Sequence, residues 1–274
     1  MRFKKVVFFG LAFFFAGRLL ALNTQPWFGD VYEFAGYLQY AYSHYNGLNH
    51  ALAPVPYGKY EHLALLDLGL TTSPEWTFDG EVQFVDSGKQ AFGFRSTAFQ
   101  MRYLCLDDIV GDRCSLAAGL NARYTSHHSL TDVSCPYHAE FDFEANLAIG
   151  KELIGRLSEW RSRFWAYGVL GMANRGSPWL KGQAGLEINI REQQRLGLLF
   201  FAEHGFGQRS YIDPNRFCGY GKYRPRFIDV AVRYGLRLGV FGMLHLGYQR
   251  RLLAAVCPTG VNTYFIKYDF SFAF

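Results

Sequence analysis

YFIKYDFSFAF, residues 264–274, closes the sequence. Large apolar side chains stand at every second position: Tyr264, Ile266, Tyr268, Phe270, Phe272 and Phe274. Phe265, Lys267, Asp269, Ser271 and Ala273 lie between them. Successive side chains of a β-strand point to opposite faces, so a period of two predicts a strand with one apolar and one more polar face. Chain ends are ordinarily polar and frayed. An end this regular is expected to be paired.

The same period runs backwards through the sequence. In HAEFDFEANLAI (138–149), Ala139, Phe141, Phe143, Ala145, Leu147 and Ile149 share one face, and His138, Glu140, Asp142, Glu144 and Asn146 the other. WTFDGEVQF (76–84), LKGQAGLEINIR (180–191) and RFIDVAVRYGLRL (226–238) alternate in the same way. Twelve strands are expected, at about 31–44, 60–71, 76–86, 91–104, 114–125, 137–150, 161–173, 179–191, 194–206, 224–237, 239–250 and 262–274. Only Pro225 falls inside a patterned segment, at its start.

The chain has 274 residues, half of them hydrophobic, with a mean hydropathy of only -0.04. Apolar residues are therefore diluted evenly, unlike the long runs of helical membrane proteins. The one long run is N-terminal. Arg2, Lys4 and Lys5 precede the apolar stretch from Val6 to Ala16, and Ala21 is a plausible last residue before cleavage. This is the pattern of a secretory signal peptide over 1–22, leaving 23–274 as one domain; a buried N-terminal helix is the alternative. The formal charge is +5, from 28 basic and 23 acidic residues. Arg2, Lys4, Lys5 and Arg18 belong to the signal, so the mature part has 24 basic against 23 acidic residues, a net +1. Nucleic-acid binding is not supported by so small an excess.

The connections between strands differ in length. Those at 45–59, 126–136, 207–223 and 251–261 are long, whereas 72–75, 192–193 and 238 are tight. Long connections at one end and short turns at the other suit an all-β, single antiparallel up-and-down transmembrane barrel of about 12 strands. Trp76, Tyr40, Tyr248 and Tyr264 fall near strand ends, as interfacial anchors do. A soluble β-sandwich could carry the same alternation.

With its N-terminal signal and its closing aromatics, the chain resembles the Gram-negative outer-membrane β-barrel proteins, porins among them. In that class the last strand carries alternating aromatics and a terminal Phe that the barrel-assembly machinery recognises. Tyr264, Tyr268, Phe270, Phe272 and Phe274 match this signature. The resemblance implies export to the outer membrane and contact with outer-membrane lipid and lipopolysaccharide.

The polar face supplies the first candidate site. Arg123, Glu140, Asp142, Glu144, Lys181, Glu187, Asp229, Arg233, Arg237, Lys267 and Asp269 are expected to point inward. Charges in a narrow lumen must pair or keep water. They would line a pore for passive diffusion of small hydrophilic solutes, or form a closed polar core in a structural or surface-interaction barrel. Arg209, Arg216, Lys222, Arg224, Arg226, Arg250 and Arg251 are expected at the rim, facing anionic solutes or lipid phosphates. His127 and Ser129 resemble the His-x-Ser pair of outer-membrane lipid hydrolases, with His as base for the Ser nucleophile, although strand parity turns both inward. His127, His128, Cys135 and His138 match no strong zinc spacing, so no metal or cofactor is expected. Five cysteines, Cys105, Cys114, Cys135, Cys218 and Cys257, allow one bridge within the loops and leave at least one thiol over.

Overall fold

The computed structural model describes Leu22, 24–155 and 160–273. The expected signal segment, apart from Leu22, and Phe274 of the expected assembly signature lie outside these residues. Twelve strands form the wall: β1 (Glu33–His44), β2 (Gly58–Ser73), β3 (Trp76–Gly88), β4 (Gly93–Leu106), β5 (Ser115–Thr125) and β6 (Phe141–Ile154). They continue as β7 (Trp160–Ala173), β8 (Trp179–Ile190), β9 (Gln194–Gly205), β10 (Arg226–Arg237), β11 (Met243–Ala255) and β12 (Asn262–Ala273). Each pairs antiparallel with its neighbours, and β12 returns to β1 from Glu33↔Ala273 to His44↔Asn262. The barrel is closed, so no strand edge is left to aggregate.

Two strands start four residues later than the sequence expectation. Residues 137–140 are not strand, because Asp142 accepts hydrogen bonds from the His138 and Ala139 amides (3.1 and 3.0 Å) and turns the chain before Phe141. The eleventh strand starts at Met243 rather than 239, after a 3₁₀ turn at Gly239–Phe241. That turn needs glycine at both ends: φ is +66° at Gly239 and +114° at Gly242, and a Cβ on Gly242 would meet the Asp269 carbonyl oxygen.

Polarity is inverted relative to a soluble sandwich. Leu38, Phe99, Leu120, Phe143, Leu147 and Leu170 are more than half exposed or close to it on the outside. Gln100, Glu187, Asp229 and His245 are fully buried inside. A continuous apolar exterior is matched to lipid rather than to water. Aromatics gather near both ends of this exterior. Tyr40 stacks on His62, Tyr42 lies tilted against the same ring, and Tyr248 lies against Tyr264, at the end carrying the long loops. Phe34 stacks on Phe272, and Trp76 lies tilted against Tyr103, at the opposite end. None of the described helices is long and apolar enough to cross a membrane.

The loop end is capped. Tyr45, Val133, Ile212, Phe217, Tyr220, Tyr223, Val256, Cys257 and Val261 form an apolar cluster drawn from four loops. A short ribbon pairs Gly47–Leu48 with Pro258–Thr259 beside it.

Candidate functional site

The lumen is built first from cross-strand charge pairs, some between adjacent strands, such as Arg102–Asp79 and Arg251–Asp229, and others reaching over one intervening strand, such as Arg95–Glu61 and Lys181–Glu144. On one wall Arg95 grips Glu61 with two hydrogen bonds (3.0 and 2.6 Å), Arg123 meets Glu81 at 2.5 Å, and Arg102 lies 3.7 Å from Asp79. Arg95 points inward because a register shift at Gln83/Phe84 resets the parity of β4. Farther round, Glu144 accepts from Lys181 (2.6 Å) and Asn121 (2.9 Å). Glu187 is shared by Arg195 (3.3 Å) and Arg233 (2.6 Å). Asp229 holds Arg251 through two bonds (2.8 and 2.9 Å). Asp269 lies between Lys267 (3.0 Å) and His245 (2.8 Å), and Lys267 sits over the Tyr37 ring.

Ten of the eleven expected inward residues therefore face the lumen or its opening; Arg237 stands half-exposed at the end away from the long loops. Glu140 does not. It lies in the loop before β6 and pairs with the exposed His127 (3.1 Å) at the rim. Arg251 corrects in the other direction. β11 continues to Ala255, and the register shift between Ile228 and Asp229 sets Arg251 opposite Asp229, inside the wall rather than on the rim.

His127 and Ser129 are not assembled as a dyad. Residues His127–Leu130 form a single helical turn, α1, in which positions i and i+2 diverge by about 200°. His127 points outward to Glu140, whereas Ser129 is buried and donates to Gln90 Oε1 (2.8 Å). All five cysteines are free thiols, so the expected bridge is not formed. Cys135 and Cys257 are buried in separate apolar clusters, and burial pushes the Cys135 thiol up to about 11. Among the described residues no group of three or more metal-ligating side chains could hold a metal ion.

Two segments that carry no strand pattern fill the barrel. The first is the N-terminal strap, Thr24–Phe28. Arg102 donates to the Gln25 carbonyl (2.6 Å) and lies over Phe28, while Trp27 packs edge-on to Trp165 with Arg163 over its ring. Trp27 Nε1 donates to Asp108 (2.8 Å), in the connection between β4 and β5. Burial alone would raise the Asp108 carboxyl. Hydrogen bonds from Ser115, the Glu152 amide and Trp27, with Lys151 nearby, outweigh it and hold the group below its ordinary range.

The second insert is the loop after α1. Asp132 accepts from Ser87 (2.6 Å), Ser134 donates to Glu61 (2.6 Å), and Tyr137 donates to Gln83 (2.8 Å). His138 stacks on Trp179 at 3.7 Å, with Nε2 3.4 Å from Glu203. Burial, and after it Lys181, holds His138 well below its ordinary value. No sequence period marks either insert; the Pro26-Trp27 pair, just after the expected cleavage point, is a local signal that could have pointed to the first.

The inserts leave two cavities. A vestibule of about 710 Å³ runs inward from the end away from the long loops, lined by Tyr37, Asp67, Asp79, Arg195, Arg233 and Lys267 among others. A smaller pocket of about 80 Å³ lies toward the loop end, lined by Arg123, Glu144, Lys181, Glu203 and Arg251. Leu22 and Thr24 line both, so the N-terminal segment is the partition between them.

No family model and no curated protein matches the sequence. The fold is similar to solved structures. The COG4313 outer membrane channel from Pseudomonas putida F1 superposes with a TM-score of 0.63 at 12% identity, over 90% of this chain and 98% of that one. The NanC porin superposes at 0.54 with 9% identity, over 85% and 98%. At these identities the likeness is one of fold.

Proposed function

We propose that the chain is an outer-membrane channel for passive diffusion of small hydrophilic solutes, exported to a Gram-negative outer membrane by the signal at 1–22 and folded there by the barrel-assembly machinery. The observation that carries this is the vestibule: a 710 Å³ space walled by charged side chains, inside a barrel whose exterior is apolar. Charged walls keep such a space wet and let hydrophilic solutes enter it. The fold shared with an outer-membrane channel and a porin supports the same role. Ten inward residues would line the path: Arg123, Asp142, Glu144, Lys181, Glu187, Asp229, Arg233, Arg237, Lys267 and Asp269. The strap and the loop after α1 would set its resting bore.

A structural or surface-interaction barrel is the second function, favoured by the apolar cluster that caps the loop end. Planar-bilayer recording separates the two. Folded protein is expected to give discrete current steps. Absence of current, both from the full chain and from a variant lacking residues 22–28, would overturn the channel and leave the structural barrel.

A further inference from the structure

One quadrant of the lumen carries more positive charge than its carboxylates can neutralise. Arg195 and Arg233 share Glu187. Arg161 and Arg237 share Glu192 (3.7 and 3.4 Å). Arg161 and Arg163 share Glu152 (3.6 and 2.6 Å). Arg191 also lines the vestibule here. Leaving Arg191 aside, five guanidiniums on β7, β9 and β10 thus meet three carboxylates, a local surplus of two positive charges. Arginine does not deprotonate, so this surplus cannot be relieved by titration. Buried Arg233 Nε has no hydrogen-bond partner among the described residues.

The surplus faces space rather than protein. Arg161, Arg191, Arg195, Arg233 and Arg237 all line the 710 Å³ vestibule. Of the other carboxylates that line the vestibule, Asp269 on β12 is engaged by Lys267 (3.0 Å) and His245 (2.8 Å), and Asp67 and Asp79 stand on β2 and β3, on the opposite side of a twelve-strand ring. Uncompensated charge in a semi-enclosed lumen draws counter-ions, and planar guanidinium forks match carboxylate and phosphate oxygens.

We propose that the vestibule is a binding site for small anions bearing carboxylate or phosphate groups, held on the Arg195–Arg233–Arg237 face, and that the barrel selects anions as a result. The selectivity half rests on the channel function; the binding half does not. A cavity of this volume is in the range that holds drug-sized metabolites.

The two halves are tested separately. Trp160 and Trp165 line the vestibule and supply a fluorescence signal in the folded full-length chain. Titration with citrate and with inorganic phosphate is expected to saturate, whereas an organic cation such as N-methylglucamine gives no saturable change. Arg195→Gln combined with Arg233→Gln should weaken citrate binding about tenfold or more, as expected where oppositely charged walls concentrate a ligand. That pair leaves Glu187 buried without its partners, so Arg237→Gln, at the exposed opening, serves as the second variant and should weaken binding severalfold without harm to folding. In bilayers under a KCl gradient, the reversal potential should report chloride preference, reduced by the same substitutions. Saturable citrate binding without current would refute the channel and uphold the site. Current with cation preference, or with no saturable anion binding, would overturn the site and leave the channel.

Discussion

Trp27→Ala tests whether the N-terminal strap is what narrows the lumen. Trp27 is buried, and its ring meets Trp165 at 6.4 Å between centroids, with the Arg163 guanidinium 4.9 Å from it and Asp108 accepting from Nε1 at 2.8 Å. Truncating a buried Trp costs about 3–5 kcal/mol. Within that figure, the edge-to-face pair accounts for about 1 kcal/mol. The hydrogen bond to a carboxylate accounts for about 2 kcal/mol. The barrel ladder does not include the strap, so the loss falls on strap docking rather than on the wall. A loss of about 3 kcal/mol lowers the docked-to-undocked ratio about a hundredfold. Leu22 and Thr24 then leave the partition, and the vestibule joins the upper pocket. Single-channel recordings of Trp27→Ala should show frequent larger steps, matching the constant level of a variant lacking 22–28. Trp27→Phe, which keeps a ring but not the donor, should lie between. Unchanged step size in both Trp27→Ala and the deletion, with circular dichroism reporting an intact barrel, would refute the strap as the constriction.

Three further outcomes follow from the same contacts. His138 is held neutral well below its ordinary 6.5, so below that pH an undocked loop takes up a proton that the docked loop refuses. Docking of residues 131–140 should weaken as pH falls from 7.5 to 5 and be insensitive above. Protection factors from amide exchange, corrected for intrinsic rate, would have to fall over that range in the wild type and not in His138→Gln. Arg251→Met should destabilise the folded barrel by about 3–5 kcal/mol, because Asp229 is left buried without its counter-charge, holding only the Gln249 amide (3.2 Å); denaturant unfolding in detergent should show most of this recovered when Asp229→Asn is added. Ser129→Ala should cost about 1–2 kcal/mol through the lost bond to Gln90 and leave lipid hydrolysis at the wild-type background. Hydrolysis present in the wild type and abolished by that change would reinstate the His127–Ser129 pair.

The wall was legible because its signal is local and repeated. Phe141, Phe143, Ala145, Leu147 and Ile149 alternate with Asp142, Glu144 and Asn146, and the structure exposes the first set outside while the second stays inside. All twelve expected segments are strands, with boundary errors of a few residues. The errors arose where parity breaks. A register shift carried Arg251 indoors, a helical turn separated His127 from Ser129, and Asp142 bent residues 137–140 off the strand. Each depends on backbone geometry that hydrophobic period cannot register. The two inserts were missed for a different reason. Their contacts span large sequence separations, such as Trp27 to Asp108 and Ser134 to Glu61, and neither segment alternates.

Those long-range contacts also divide the inward charges by role. The backbone of an insert brings donors and acceptors into the lumen that no ladder satisfies, and a buried unpaired group is costly. Side chains of the wall, and Tyr57 of the first long loop, meet that need. Arg102 takes the Gln25 carbonyl, Asp142 the His138 and Ala139 amides, Tyr57 the Val133 amide, and Glu61 the Ser134 hydroxyl. Such residues hold the fill, so where one of them also lines the path, as Asp142 would, it shapes the bore rather than binding a solute. Arg195, Arg233 and Arg237 touch neither insert in any of these bonds, and they face the open vestibule. Inward orientation alone therefore does not mark a pore residue. An inward charge is available for selectivity only where no insert has claimed it, which places the expected filter on the vestibule charges of β8–β10 and β12 and leaves Arg102, Asp142 and Glu61 to hold the strap and the loop.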